Sequence, residues 1–287
     1  MSSRTCMITG ATSGIGLAAA RELARRGADV IAVGRNPEKG ARLVGELRRE
    51  TGNAAVEFLQ ADLSNLAEVR GLAERLLQLR PRLDVLINNA GAIFAKRRET
   101  DEGIEMTLAL NLLSPYLLTH VLLPALEKSP GGRIINVSSD AHKAFGLSFD
   151  DLENRRWYFG FKAYARSKLG LNLFTYELAR RLRLAGSTVT ANAVHPGFVA
   201  TNFGASNSRI NKAVYSLMHF TALTAEEGAD TIVYVADSPE VEGTSGQYYY
   251  GRRPVPPSPA SRDAAAARRL WDVCAEMTQV RGVVPQR

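Results

Sequence analysis

The stretch "TCMITGATSGIGLAAARELARRGADVIAVG", Thr5 to Gly34, decides the fold. It opens on a short apolar run, "TCMIT", of strand length. A glycine-rich turn, "TGATSGIG" from Thr9 to Gly16, follows. From Gly14 the apolar residues recur at helical spacing until Gly27 stops the helix. "DVIAVG" is a second apolar run of strand length. A strand, a helix and a second strand in so few residues form a unit whose two strands lie parallel in one sheet.

Outward from this unit the alternation continues. "PEKGARLVGELRRET" is a helix that starts with proline, and "AAVEFLQADL" a third strand. "NLAEVRGLAERLLQL" is a helix, "LDVLINNAG" a fourth strand, and a long apolar helix spans about 102–127. "GGRIINVSSD", "STVTANAVHPG" and "SGQYYYG" supply a fifth, sixth and seventh strand, with a helix carrying "YARSK" between the fifth and sixth. Right-handed crossovers turn such a chain into an α/β doubly wound parallel sheet of about seven strands, with helices on both faces. Neither a repeat nor a dividing linker is visible, so a single domain over residues 1–287 is expected. The proline-rich stretch "RRPVPPSPASRD" reads as a surface connection into a C-terminal helix at 261–278.

Composition bounds the function. Of 287 residues 45% are apolar and 23% charged, as in ordinary globular proteins. The net charge of +7 raises the question of nucleic acid. The arginines, however, stand in helical clusters such as "RELARRG" and "ELARRLRLAG", between apolar positions, which is the pattern of solvated helix faces. No nucleic-acid partner is expected. The two cysteines, Cys6 and Cys274, have neither disulfide-framework nor metal-ligand spacing, so a reducing, cytoplasmic setting and no metal are expected. No signal peptide is expected ahead of the first strand. The apolar run Leu108–Leu126 is interrupted by Asn111, Ser114, Pro115, Thr119 and His120, so it reads as a buried helix and not a membrane span.

The glycine turn lies between a strand and a helix, the context a dinucleotide site requires. Gly10 allows the tight turn, and Gly14 and Gly16 let the backbone approach a pyrophosphate at the helix N-terminus. Thr12, Ser13 and Ile15 share that loop. At the end of the second strand "VGRNPE" places Arg35 and Asn36 where a carboxylate would select NAD. The guanidinium of Arg35 suits a 2′-phosphate, so NADP(H) is the expected cofactor.

Five motifs agree in order and spacing with one family. "TGATSGIG", "NNAG" at Asn88–Gly91, "NVSS" at Asn136–Ser139, "YARSK" at Tyr164–Lys168 and "HPGFVAT" at His195–Thr201 resemble those of the short-chain dehydrogenase/reductases, whose fold is of the Rossmann type. "GRNPEKG", "DAHKAFGLSFDDLE" and "SPASRDAAAARRLWDV" resemble the retinol-dehydrogenase-like branch. The light-dependent protochlorophyllide reductases share parts of the same layout. The resemblance implies a catalytic set of Asn111, Ser139, Tyr164 and Lys168. It also implies cofactor contacts from Asp62 and Leu63, from Asn89, Ala90 and Gly91, and from Pro196, Gly197, Val199 and Thr201, with Tyr164 and Lys168 shared by both roles. Asn111 is implied to hold a water that links Lys168 to solvent.

The chemistry fits the residue types. Hydride transfer to a carbonyl needs a proton donor for the growing alkoxide, and a free phenol with a pKa of about 10 is a weak one near neutrality. Lys168 lies one helical turn from Tyr164 on the same face, where its ammonium stabilises the phenolate. Ser139, at the carboxyl edge of a strand, can hydrogen-bond the substrate oxygen, and strand alternation turns Ser138 the other way. His195 is read as a loop-shaping residue and not a base.

Between Ser139 and Tyr164 stand His142, Phe145, Phe149, Trp157, Tyr158, Phe159 and Phe161. The segment 202–221 adds Phe203, Tyr215, Leu217, Met218 and Phe220 and is expected to act as a lid. Together they suggest a small hydrophobic substrate, such as a retinoid-like or polycyclic carbonyl or alcohol. The competing expectation is a catalytically silent NADPH-sensing protein, which a broken catalytic set would favour. A homo-oligomer is left open.

Overall fold

The computed structural model describes residues 4–199 and 223–280. Among these residues, eight strands form one sheet in the order β3-β2-β1-β4-β5-β6-β7-β8. The first seven are β1 (Thr5–Thr9), β2 (Asp29–Gly34), β3 (Val56–Gln60), β4 (Val85–Asn88), β5 (Arg133–Val137), β6 (Thr190–Val194) and β7 (Tyr248–Tyr250). All seven run parallel. The eighth, β8 (Arg253–Pro254), was not expected. It is a two-residue antiparallel edge formed where the chain doubles back at Gly251, whose φ of 55° permits the turn. Its proline faces no further strand, as edge positions allow.

Strand alternation divides the core. In β1, Cys6 and Ile8 point to one face and Met7 to the other. The Cys6 face is covered by α1 (Gly14–Arg25), α2 (Pro37–Thr51) and α6 (Ala225–Asp237). The opposite face is covered by α3 (Leu66–Leu79), α4 (Met106–Glu127), α5 (Gly160–Leu184) and α7 (Ala264–Thr278). Cys6 and Cys274 are both buried and free, on opposite faces of the sheet. A disulfide between them is therefore excluded.

α4 is long and apolar enough to cross a membrane, but 83% of its most apolar window is buried. It is a core helix. It starts at Met106, not 102, because the buried carboxylate of Glu105 caps it, accepting from the amides of Thr107 and Leu108 at 2.8 Å each. α7 begins at Ala264, not 261. Asp263 accepts from Ala265 and Ala266 at 2.9 and 3.0 Å and so sets its start.

α7 seals the junction of α4 and α5 with an aromatic cluster. The rings of Tyr116, Phe174 and Trp271 surround His120, and Arg181 lies 4.3 Å over Trp271 while paired to buried Glu177 at 2.7 Å. His120 Nδ1 donates to the Tyr116 carbonyl at 2.7 Å, and its Nε2 has no partner among the described residues. Burial lowers the His120 pKa to about 4. Because the unfolded chain takes up this proton near pH 6.5 and the folded one near 4, the unfolded state binds more protons between them. Stability from this ring is present above 6.5 and is lost as pH falls towards 4. Urea unfolding at pH 7 and pH 4.5 should show a loss of ~2–3 kcal/mol that shrinks clearly in His120→Leu. An identical pH dependence in both proteins would contradict the assignment.

Candidate active site

The chain steps from β1 outward to β3 and then returns to place β4 beside β1. Open α/β sheets bind ligands at such a reversal, outside the carboxyl ends of the strands. Here those ends carry the Gly10–Gly16 loop, Asn89–Gly91, Ser139 and His195–Val199. A separate cleft of about 820 Å³ lies at the opposite edge, before β5, β6 and β7, and includes none of the expected site residues.

The glycine loop is built as read. Gly10 and Gly14 have φ of 67° and 54°, which disfavours any side chain there. A Cβ on Gly16 would lie 2.4 Å from the Gly10 carbonyl. Ser13 precedes α1 without capping it, and the first turn holds no acidic residue, whereas Asn36, Asn65, Thr224 and Asp263 cap α2, α3, α6 and α7. The uncapped head of α1 thus fits a diphosphate. Thr12 packs against Gly34, where a Cβ would meet Thr12 Cγ2 at 2.9 Å. Ile15, Pro196 and Val199 meet around Gly228 at the start of α6.

Arg35 is exposed at the end of β2 and makes no ion pair among the described residues. Asn36 has a structural task, as its side chain accepts from Lys39 N at 2.8 Å. The Asp62 carboxylate accepts from Ser64 N and Oγ at 2.9 and 2.7 Å, and Leu63 is core. Thr201 and the 202–221 segment lie outside the described residues.

The loop after β4 is latched in two places that the sequence did not disclose. Thr9 Oγ1 accepts from Asn89 N and Ala90 N at 2.9 and 3.0 Å, and Asn89 Nδ2 donates to the Thr9 carbonyl at 2.8 Å. Asn89 therefore joins this loop to the glycine loop through its side chain. Asn111 holds the other end. Its Oδ1 accepts from Ala92 N at 2.9 Å, and its Nδ2 donates to Ala92 O and Ser167 Oγ, both at 3.0 Å. Through these bonds the side chain of Asn111 ties the β4 loop to α5. Asn111 sits in a widened π-turn, Ala109–Leu113, within α4. Such turns mark places where a helix gives up regular bonding to aim a residue.

Lys168 is 4% exposed, and its Nζ donates to the Val137 carbonyl at 2.7 Å. The same Nζ lies 5.7 Å from the centre of the Tyr164 ring. It also occupies the space beside Gly91, where a Cβ would be 3.4 Å away. Burial alone lowers the Lys168 pKa to about 8. Tyr164 is half-buried on the preceding turn of α5. Ser139 is half-exposed at the head of the Asp140–Lys143 turn, which packs on α5, while Ser138 is buried and its hydroxyl has no partner among the described residues. Of the two serines, Ser139 is the more accessible.

His195 stacks on Tyr250, with the ring centres 5.1 Å apart. The aromatic insert divides. Tyr158 is structural, donating to Phe94 O at 2.9 Å, and Phe149 lies under Arg269. Trp157, Phe159 and Phe161 are exposed and in ring contact with one another. Among the described residues no cluster of metal-ligating side chains occurs.

Comparison with known proteins agrees with this geometry. The family model described as short chain dehydrogenase matches residues 4–211. Human retinol dehydrogenase 14 is 41% identical, over 95% of this chain and 85% of the relative. Human polyprenol dehydrogenase is 39% identical, over 96% of this chain and 86% of its own length. A crystal structure of an uncharacterised protein from Mycobacterium paratuberculosis superposes with a TM-score of 0.78 at 36% identity, covering 96% of this chain and 93% of that one. The chain belongs to the short-chain dehydrogenase family of oxidoreductases, which use nicotinamide cofactors. Within it, the relatives place it in the retinol-dehydrogenase-like branch.

The latch generates a prediction. Asn89→Ala removes a partly buried hydrogen bond between the two loops, worth about 1–2 kcal/mol. Binding of a reduced nicotinamide dinucleotide, followed by fluorescence titration, should weaken by about tenfold. An unchanged affinity would show that the latch does not shape the cofactor cradle.

Proposed function

We propose that this chain transfers a hydride between NADP(H) and an apolar carbonyl or alcohol, with Tyr164 as the proton donor and acceptor. The observation that carries this reading is the buried ammonium of Lys168, held by the Val137 carbonyl and placed against the Tyr164 ring. A cation removed from water acts strongly on a neighbouring phenol, because the surrounding dielectric is low. It favours the phenolate and so makes Tyr164 a better acid. The cofactor, when bound, supplies or accepts the hydride. Ser139 orients the substrate oxygen and donates to the developing alkoxide. Asn111 and Ser167 tie the β4 loop to α5 and so hold Gly91 against Lys168.

Two observations support NADP(H). Arg35 is exposed and unpaired among the described residues, and Asn36 beside it carries no charge that would repel a phosphate. The apolar substrate class is supported by the exposed aromatics Trp157, Phe159 and Phe161 just before the Tyr164 turn. The names of the relatives, dehydrogenases of retinol and of polyprenol, point the same way.

Tyr164→Phe keeps the ring and removes the proton, so kcat should fall by about a hundredfold or more while NADPH still binds. Turnover within a few-fold of wild type would remove Tyr164 from its role. Arg35→Asp should weaken NADPH far more than NADH, because it replaces an attraction to the 2′-phosphate by a repulsion. Parallel weakening of both would sink the phosphate assignment. Oxidation of NADPH across a panel from glyceraldehyde to retinal should give the highest kcat/KM with bulky apolar carbonyls. A preference for the small hydrophilic aldehydes would refute the apolar class and leave the hydride chemistry standing.

A further inference from the structure

His142 is 1% exposed, and both of its ring nitrogens are bonded. Nδ1 is 2.7 Å from the carbonyl oxygen of Ser139. Nε2 is 3.0 Å from the backbone nitrogen of Ser258. These partners fix the ring's protonation by their own nature. A carbonyl oxygen can only accept, so Nδ1 carries the proton. An amide N–H can only donate, so Nε2 presents its lone pair. Only the neutral Nδ1–H tautomer makes both bonds.

We infer that His142 is a positioning residue for the reaction. As a neutral two-ended clamp, it fixes the backbone of Ser139 to the segment that follows β8. This rests on the reading of Ser139 as the group that hydrogen-bonds the substrate oxygen. The direction of the Ser139 hydroxyl depends on its backbone, which is extended at φ −160° and ψ 150° and heads the Asp140–Lys143 turn. Its carbonyl also accepts from His142 N at 3.1 Å, so one residue grips it through both backbone and ring.

The other end of the clamp is equally firm. The Ser258 carbonyl accepts from Ser261 N and Oγ at 3.1 and 2.7 Å, and the turn containing Ser261 packs on α5. The proline-rich stretch expected to be a surface connection is therefore wired to the catalytic edge. Ser258 and Ser261 in it are buried. The clamp closes a ring of contacts: Ser139 to His142, His142 to Ser258, the Ser258 turn to α5, and α5 back to the turn headed by Ser139.

The charged and titratable groups around the ring are few. Tyr248 of β7 stands edge-on at 5.1 Å and donates to Asp140 at 3.0 Å, and Lys143 pairs with the same carboxylate at 2.9 Å. His195, at the end of β6, adds its field to Asp140 and itself feels the charges of Asp140, Lys143 and His142. Burial lowers the His142 pKa, in keeping with a neutral ring. Protonation would set an N–H against the Ser258 N–H and open the clamp.

A double-mutant cycle tests this. With NADPH and retinal, Ser139→Ala should lower kcat. His142→Phe, which keeps a ring and loses both bonds, should lower kcat by about tenfold with the Kd for NADPH unchanged. In the Ser139→Ala background the same change should cost less than about twofold, since there is no hydroxyl left to aim. His142→Asn, whose amide can still donate to the Ser139 carbonyl, should recover most of the loss. An equal loss from His142→Phe in both backgrounds would overturn the inference while leaving Ser139 in place. No effect of Ser139→Ala would overturn the Ser139 reading and the inference with it. Independently of turnover, the imidazole ¹⁵N spectrum, assigned by its loss in His142→Asn, should show a neutral Nδ1–H ring that titrates below the ordinary histidine value of about 6.5. The opposite tautomer, or titration near pH 6.5, would also overturn it.

Discussion

The bond from Lys168 Nζ to the Val137 carbonyl is the constraint on which the site depends. It crosses from α5 to the last residue of β5 and holds an ammonium in a position with almost no access to water. Taking a charge out of water is costly, and the fall in the Lys168 pKa to about 8 expresses that cost. The fold sustains it because helix and strand are each locked by other contacts. β5 lies inside the sheet between β4 and β6, and α5 is covered by α7. Near neutrality most of the lysine is still protonated, so the phenol of Tyr164 feels a real cation.

Around that bond, polar side chains do the aligning and the apolar core the holding. Asn89 joins the loops after β1 and β4, Asn111 joins the β4 loop to α5, and His142 joins the end of β5 to the segment beyond β8. Each spans elements distant in sequence and satisfies buried backbone groups that would otherwise lack partners. A site assembled from six strand ends needs such ties, since loops without regular bonding would not hold a reacting geometry.

How far these features were legible in the sequence follows from their range. β2 and the glycine loop were read correctly because apolar period and glycine placement are local signals. Tyr164 and Lys168 were legible because four residues make one helical turn. The start of α4 was placed too early, since the cap from Glu105 depends on the carboxylate turning back on its own helix. The partners of Asn111 were not legible, because a π-turn has no simple residue signature and Ala92 and Ser167 meet it only in three dimensions. His142 was grouped with pocket aromatics, and nothing in "SSDAHKAF" reveals that Ser258 waits 116 residues on. β8 was missed because two residues carry no period.

The measurement that tests the central claim most directly is the pH–rate profile for alcohol oxidation at saturating NADP⁺, in wild type and Lys168→Met. Under the proposed mechanism oxidation needs the Tyr164 phenolate, which the neighbouring Lys168 ammonium should favour. With the ammonium present, the inflection should lie well below the ordinary phenol value of about 10. In Lys168→Met it should move upward by about one unit or more, because the neutral side chain no longer favours the phenolate. A variant with the same inflection and only a lower plateau would contradict the account: Lys168 would then hold the site in shape without setting the acidity of Tyr164.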